Sequence, residues 1–309
     1  MLTHEKQIKE CEEALSRLKK QNESSDVWSD EEMVRLETRL EKLKAKVYSQ
    51  LSPWERVTIS RHPERPQSKD YIDHIVEGFE ELHGDRLFRD DAAIIIGTGR
   101  IGGEKFMIIG QQKGKDTDSR LHRNFGMPHP EGYRKALRAM QLAEKFQIPV
   151  VCLIDTPGAY PGLAAEERGQ GWAIAKNLME MAHLKTQIIA ILIGEGCSGG
   201  ALGIGIADRV AMLEHSYYSV ISPEGCASIL WKDSTKNAEA AEQLKLTSDD
   251  LTKLEVVDHV IDEPLGGAHY DPQVVFQTVK EYITRENASL KQLPLETLLE
   301  ERYNKFRKY

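Results

Sequence analysis

Residues 188–193 (Ile188, Ile189, Ala190, Ile191, Leu192, Ile193) form an uncharged, largely β-branched run, and six of the next twelve residues are glycine. A continuous apolar run of this kind reads as a strand buried on both faces. The glycines at 194, 196, 199, 200, 203 and 205 let the chain turn sharply and let another molecule approach the main chain. A short helix of small residues is expected to open from the turn. The free N–H groups of a helix start favour a developing negative charge, so the first reading is an anion or oxyanion site.

Two familiar motifs overlap here. Gly194, Gly196 and Gly199 have dinucleotide-fingerprint spacing, with Glu214 where a ribose-binding acid would stand. Residues 199–207 are too short and too glycine-rich for the long helix of that motif. Gly196, Ser198 and Gly200 equally fit a nucleophile elbow, with Asp258, His259 and His269 later in the chain as partners. Tight strand–helix packing without a ligand explains Gly203 and Gly205, but explains the consecutive Gly199 and Gly200 less well.

With 309 residues and 40% hydrophobic content, the chain can bury a large core. No segment approaches the roughly eighteen apolar residues of a membrane span, and residues 1–6 lack a signal-peptide core, so a soluble cytoplasmic protein is expected. Cysteines 11, 152, 197 and 226 make no Cys-x-x-Cys pair, which argues against a zinc ribbon, a disulfide framework or any metal on this chain. A formal net charge of −8 argues against general nucleic-acid binding.

In chain order, residues 1–50 show apolar positions three and four apart around a polar break at 21–30, which predicts a helical hairpin or coiled-coil arm. Pro53, Pro63 and Pro66 suggest an extended linker over 51–69. Residues 70–82 read as an amphipathic helix, and 92–96 and 105–109 as strands joined through Gly97, Gly99, Gly102 and Gly103. Residues 113–138 are locally basic around a non-helical stretch at 126–130, which suggests a mobile loop for an anionic substrate. A helix at 132–146, a strand at 148–154, a tight turn at 155–162 and a helix from 164 to 183 lead to the central strand. Short strands at 209–213, 218–221 and 256–261, a helix from Pro223 to Trp231, and helices at 271–285 and 293–306 complete the chain. This alternation gives an α/β layered domain with a site at the carboxyl ends of its strands.

Five segments read together (123–128, 131–138, 155–162, 194–200 and 219–231) closely resemble the carboxyltransferase alpha subunits of bacterial acetyl-CoA carboxylase. The resemblance implies an α/β, crotonase-like fold of ββα units wound into a superhelix, spanning 70–270, with the 1–50 arm, the 51–69 linker and C-terminal helices at 271–309. It implies transfer of a carboxyl group from carboxybiotin, borne by the biotin carboxyl carrier protein, to acetyl-CoA, which gives malonyl-CoA for fatty-acid synthesis. Further implied partners are a zinc-bearing beta subunit, in an α2β2 assembly, and the biotin carboxylase of the full complex. A self-contained crotonase-like acyl-CoA enzyme is the alternative.

By the same resemblance, Gly199 and Gly200 N–H groups form the biotin-side oxyanion hole, with a second amide from Gln112 or Lys113. Gly158, Ala159, Tyr160, Arg123 and Arg134 belong to the carboxybiotin or coenzyme A neighbourhood. Cys197 stands where glycine is expected in many relatives.

Overall fold

A computed structural model describes residues 3–25 and 28–309. Eight strands form one mixed sheet: β1 (Glu77–Leu82), β2 (Ile94–Ile101), β3 (Glu104–Gln111), β4 (Val150–Thr156), β5 (Ile188–Cys197), β6 (Arg209–Leu213), β7 (Tyr217–Ser219) and β8 (His259–Ile261). The spatial order is β1-β2-β3-β4-β5-β6-β8, and β7 pairs with the end of β5. The β1–β2 and β2–β3 pairs are antiparallel, and every later pair is parallel.

Alternate residues of the central strands face opposite layers, as the period of a strand requires. Ile188, Ala190 and Leu192 join one apolar cluster with Cys152, Ile154 and residues of the helix Pro130–Phe146. Ile189, Ile191 and Ile193 join the other, with Val151, Leu153 and residues of the helix Pro272–Leu290. All of β5 is buried, so its sequence shows no polar alternation.

The glycine stretch differs from the expected turn. Strand β5 runs on to Cys197, and Glu195, Gly196 and Cys197 pair with β7, so Gly194 and Gly196 are strand residues. Crowding accounts for them: a Cβ on Gly194 would strike the Asp155 carboxylate, and one on Gly196 the Leu192 side chain. The turn falls at Ser198, whose backbone is left-handed at φ 56°, and the following helix is only Ser198–Leu202.

The helix expected over 70–82 is also shorter. Helix Ser68–Ile75 ends at an extended Val76, and the chain continues as β1. Gly97 and Gly99 lie inside β2 rather than in its turn, and a Cβ there would collide with Phe79 and Val76. Those two side chains pack where a helix would have turned them away. The hairpin itself uses Gly102 and Gly103, at φ 58° and 84°. The helix expected over 164–183 is broken into Leu163–Glu167 and Gln170–His183 by a left-handed Gly169.

Residues 53–60, expected in an extended linker, form a helix (Pro53–Ser60) opened by a reciprocal Ser52/Glu55 capping box with proline at its first position. Its Val57 and Ile59 are buried. Just beyond it, the Arg65 guanidinium donates to the Ile193 carbonyl at 2.8 Å and pairs with Glu263. That carbonyl lies in a gap between the β5 residues that pair with β6 and those that pair with β7. Helices Thr3–Ser25 and Asp30–Tyr48 form the hairpin, with Lys19 paired to Glu37 and Lys44 to Glu12 in antiparallel register. Residues 26–27 of the expected break lie outside the described residues. At the other terminus, the buried Arg302 clamps helix Leu295–Phe306 to the sheet through both Asp208 oxygens and the carbonyls of Met181, Leu184 and Thr186. Among the described residues, no helix is long and apolar enough to cross a membrane.

Candidate active site

The carboxyl ends of β3, β4 and β5 lie side by side and hold the chemistry-bearing segments. After β4 the chain turns through Gly158, at φ 141°; after β5 it turns through Ser198 into the five-residue helix. These two turns touch. A Cβ on Gly200 would lie 2.5 Å from the Ala159 nitrogen and the Gly158 carbonyl carbon, so only glycine fits. Space opens beside Gly158, where a Cβ would meet nothing within 4 Å. Amides of Ser198, Gly199 and Gly200, at the helix start, have no acceptor one turn back and are available as donors. Ser198 is exposed, Gly199 half-buried and Gly200 buried, and Ser198 and Gly199 line an open groove.

The amides expected after β3 are arranged differently. The Gln112 N–H donates to the Ala93 carbonyl at 2.9 Å, and its side chain bonds the Lys69 N–H and the Gln67 amide. Gln112 is therefore not a free donor. The Lys113 backbone lies against Gly126, where a Cβ would stand 3.3 Å from the Lys113 Cα. The turn packed against Gly200 is Gly158–Ala159, both members of which the sequence had placed in the neighbourhood. Tyr160 follows it, its N–H donating to the Pro128 carbonyl. The signal for this pairing is the repetition of a strand running into a tight glycine turn at 155–162 and again at 194–200.

The basic residues of 113–138 are engaged within the chain, not held out for an anion. Lys113 is half-buried between Asp155 and Glu195, at 2.6 and 2.5 Å. Lys135 pairs with Asp90, and Arg134 with Asp85 while it also bonds the Arg168 carbonyl. Arg123 donates to the Ala92 carbonyl and Arg138 to the Gly84 carbonyl. Arg123 and Arg134 therefore fasten elements together, and neither is directed at the Gly158 turn. The segment is partly helical, with Thr117–His122 followed by Asn124, Phe125 and Gly126, all at positive φ. The Thr156 hydroxyl pins this left-handed stretch by donating to the Gly126 carbonyl at 2.6 Å.

Sequence reasoning did not find the ion cluster behind the turns. Arg61 pairs with Glu195 and Glu224, Lys113 with Glu195 and Asp155, and the Tyr217 hydroxyl donates to Glu195 at 2.8 Å. Burial pushes Glu195 up, but Lys113 and Arg61 together more than reverse this and hold it at about 2. Burial also pushes Asp155 up, and Lys113 only partly offsets it. The two carboxylates share one ammonium, and the second cation, Arg61, is what turns the balance downward at Glu195 and not at Asp155. Burial, and then Glu195, push the Cys197 thiol up to about 11, so it is a packing group and not a nucleophile.

On the outer side, an apolar groove of about 550 Å³ runs from Ser198 and Gly199 past Leu202, Tyr218 and Val220 to Phe306 and Tyr309. Trp172, Val220, Ile229 and Leu230 are exposed large side chains.

Both rival motifs lose their partners. His269 stacks on His62 with ring centroids 3.8 Å apart, and His259 stacks on Tyr282 at 5.1 Å. Asp258 pairs with Lys305. None of the three addresses Ser198. A five-residue helix likewise cannot be the crossover helix of a dinucleotide-binding unit, and Glu214 accepts the Glu263 N–H.

Comparison with known proteins shows the family and the fold. The family model described as acetyl co-enzyme A carboxylase carboxyltransferase-like matches residues 1–309. The acetyl-coenzyme A carboxylase carboxyl transferase subunit alpha of Chlamydia pneumoniae is 60% identical over 307 residues, covering 99% of this chain and 95% of that protein. The subunit of the same name from Protochlamydia amoebophila is 58% identical over 307 residues, at 99% and 97% coverage. Among solved structures, transcarboxylase 12S with methylmalonyl-coenzyme A bound superposes at a TM-score of 0.53 and 21% identity over 71% of this chain; the match spans 42% of that longer chain. A Pseudomonas malonate decarboxylase hetero-tetramer in complex with coenzyme A gives 0.56 at 17% identity, covering 69% of this chain and 85% of that one. The fold is the expected crotonase-like α/β architecture. From the full-length family match and these relatives, the chain belongs to the family of acetyl-CoA carboxylase carboxyltransferase alpha subunits.

Proposed function

We propose that the Gly158–Ala159 and Gly199–Gly200 turns form the biotin-side oxyanion site of the carboxyltransferase of acetyl-CoA carboxylase, and that a separate beta subunit completes the active site. The observation that carries this reading is the contact of the two turns, with Gly200 packed against the Ala159 nitrogen. When bound, carboxybiotin supplies the carboxyl group, and its ureido oxygen becomes negatively charged on transfer. The chain's task is to bind that oxygen with preorganised amides, without a side chain intruding. Loss of one such donor typically costs ~10²–10³-fold in rate. The cradle fits the group: Gly158 leaves open space, and Ser198 and Gly199 at the start of the short helix line an open groove.

The apolar groove leading to Gly199 suits the biotin arm of the carrier protein, and its volume is that of an ordinary small-molecule site. Trp172, Ile229 and Leu230 suit a protein partner, and we assign them to the beta subunit in an α2β2 assembly. The carboxyltransferase unit of the sequence reading, residues 70–270, extends back to Pro53, since Val57, Ile59, Arg61, Arg65 and Ser68 pack on or bond to its sheet, and the arm at 1–50 serves assembly and not chemistry. Biotin carboxylase, which supplies the carboxylated carrier, completes the set of partners.

The test is reconstitution. The chain alone is expected to transfer no carboxyl group from malonyl-CoA to biotin, and to do so when mixed with the beta subunit. Full activity without that subunit would overturn the reading in favour of a self-contained acyl-CoA enzyme. Mass measurement at micromolar concentration is expected to show two copies of each chain; a one-to-one heterodimer would refute the stoichiometry.

A further inference from the structure

The helix that presents the amides has five residues, too few to hold its own geometry. It is held from outside by three fully buried polar side chains. The Gln111 amide nitrogen donates to the Gly200 carbonyl at 2.8 Å, and the Tyr133 hydroxyl donates to the same oxygen at 3.2 Å. The Asn177 amide nitrogen donates to the Gly203 carbonyl just past the helix, and to the Tyr133 carbonyl, both at 2.9 Å. The Tyr133 ring also lies where a Cβ on Gly203 would be, which fixes its distance from the helix.

Gln111 spans all three strand ends, deeper than the Lys113 ammonium that bridges Asp155 and Glu195. It is the last residue of β3, its side-chain oxygen accepts the Asp155 N–H of β4 at 3.1 Å, and its nitrogen holds the first turn after β5. The ladder between β4 and β5 is irregular between Ile154 and Thr156 and resumes at Thr156 and Gly196, and side chains brace the gap, the Asp155 carboxylate by accepting the Glu195 N–H at 2.9 Å. Within this bracing the Gln111 amide is the group that reaches the carbonyl of the amide-bearing helix, with both of its ends engaged. The Gln111 carbonyl in turn accepts the Ser68 hydroxyl at 2.7 Å, which anchors the residue itself.

We propose that Gln111, assisted by Tyr133, is a positioning residue for carboxyl transfer: it sets the separation of the Gly158–Ala159 and Gly199–Gly200 turns. This rests on the reading of those turns as the oxyanion site. Gln111 touches no substrate. Its effect is to keep two backbone segments within the tolerance that a preorganised site demands, about half an ångström.

The experiment uses the complex reconstituted with the beta subunit and measures transfer from malonyl-CoA to biotin. Gln111→Met keeps the length of the side chain and removes both bonds. It is expected to lower kcat about 10- to 100-fold, the usual scale for a supporting residue, and to leave KM for malonyl-CoA within about twofold. Tyr133→Phe, which removes one hydroxyl, is expected to lower kcat several-fold. The double variant is expected to lose less than the product of the two, because both donors serve one carbonyl. Reduced thermal stability with kcat within twofold of the parent would show a merely structural role and overturn the proposal. If Gln111→Met fails to fold, Tyr133→Phe decides by the same split between kcat and KM. Gly200→Ala separates the two levels. If it retains parent activity, the oxyanion reading fails and this inference with it; if it loses activity while Gln111→Met keeps kcat, only the inference fails.

Discussion

Adding one methyl group at Gly200 should be far more damaging than adding it at Gly199. In Gly200→Ala the new carbon would start 2.5 Å from the Ala159 nitrogen and the Gly158 carbonyl carbon, where ordinary contact begins at 3.4 Å. The difference is about 0.9 Å, and the atoms that must retreat are backbone. A displacement of about 1 Å in a catalytic constellation costs ~10²-fold in rate, or about 2.7 kcal/mol of barrier. Overpacking adds about 1–3 kcal/mol of instability. In Gly199→Ala the new carbon would lie 3.6 and 3.7 Å from the Ile174 side chain, in ordinary contact, and the backbone is not left-handed. Its loss of rate should not exceed several-fold. Both variants, reconstituted with the beta subunit, can be compared in malonyl-CoA to biotin transfer, with circular dichroism and subunit binding to confirm folding and assembly. Equal rates in the two variants, or the opposite order, would refute the argument that these turns form the site through their close contact.

Other expectations follow from neighbouring features. Ser198→Ala should keep most of the transfer activity, since the chemistry belongs to amides; loss of activity in a folded, assembled complex would revive the nucleophile reading. Arg302→Leu leaves Asp208 without its buried guanidinium and should destabilise the chain by about 3–5 kcal/mol in urea unfolding; a change below about 1 kcal/mol would contradict the clamp. Acid stability should fall in two stages. Burial, then His62 and Arg65, push His269 down to about 4, so between pH 6.5 and 4 the unfolded chain binds the extra proton and stability drops as pH falls. Glu263 is pushed up by burial but held at about 2 by Arg65, so its contribution is full above about pH 4.5 and is lost as pH falls toward 2. His269→Gln should flatten the first stage in pH-dependent unfolding; an unchanged profile would refute the assignment.

The parts of the fold legible in the sequence were those written by burial. Strand β5 announces itself because both its faces are covered, and the helices Pro130–Phe146 and Pro223–Trp231 by periodicity or by proline at the start. Strand β1 was hidden because Val76 and Phe79 fit a helical stripe as well as a strand, and only the bare glycines of β2 decide between them. The helix Pro53–Ser60 was readable: Ser52, Pro53 and Glu55 are a capping box, outweighed by the prolines that follow. At the site, Gly199 and Gly200 were legible as backbone chemistry, whereas the choice of partner turn was not. Gln112 and Ala159 are both close in sequence to strand ends, and only the pairing register shows which amide is already engaged. The basic run at 113–138 misled because composition counts charges without showing their partners; Lys113, Arg134 and Lys135 are each matched by a carboxylate from elsewhere in the chain.

The bond from Arg65 to the Ile193 carbonyl has a consequence for how the molecule assembles. It joins positions 128 residues apart, and closing a loop of that length costs about 4 kcal/mol in chain entropy. Neither β6 nor β7 pairs with β5 at Ile193, so this stretch of the strand waits for a side chain synthesised long before it. Local hairpins such as β2–β3 can form early. The end of β5 that bears the amides is thus tied by contacts of high sequence separation, to Arg65, to β4 and to β7, and non-local contacts of this kind slow folding.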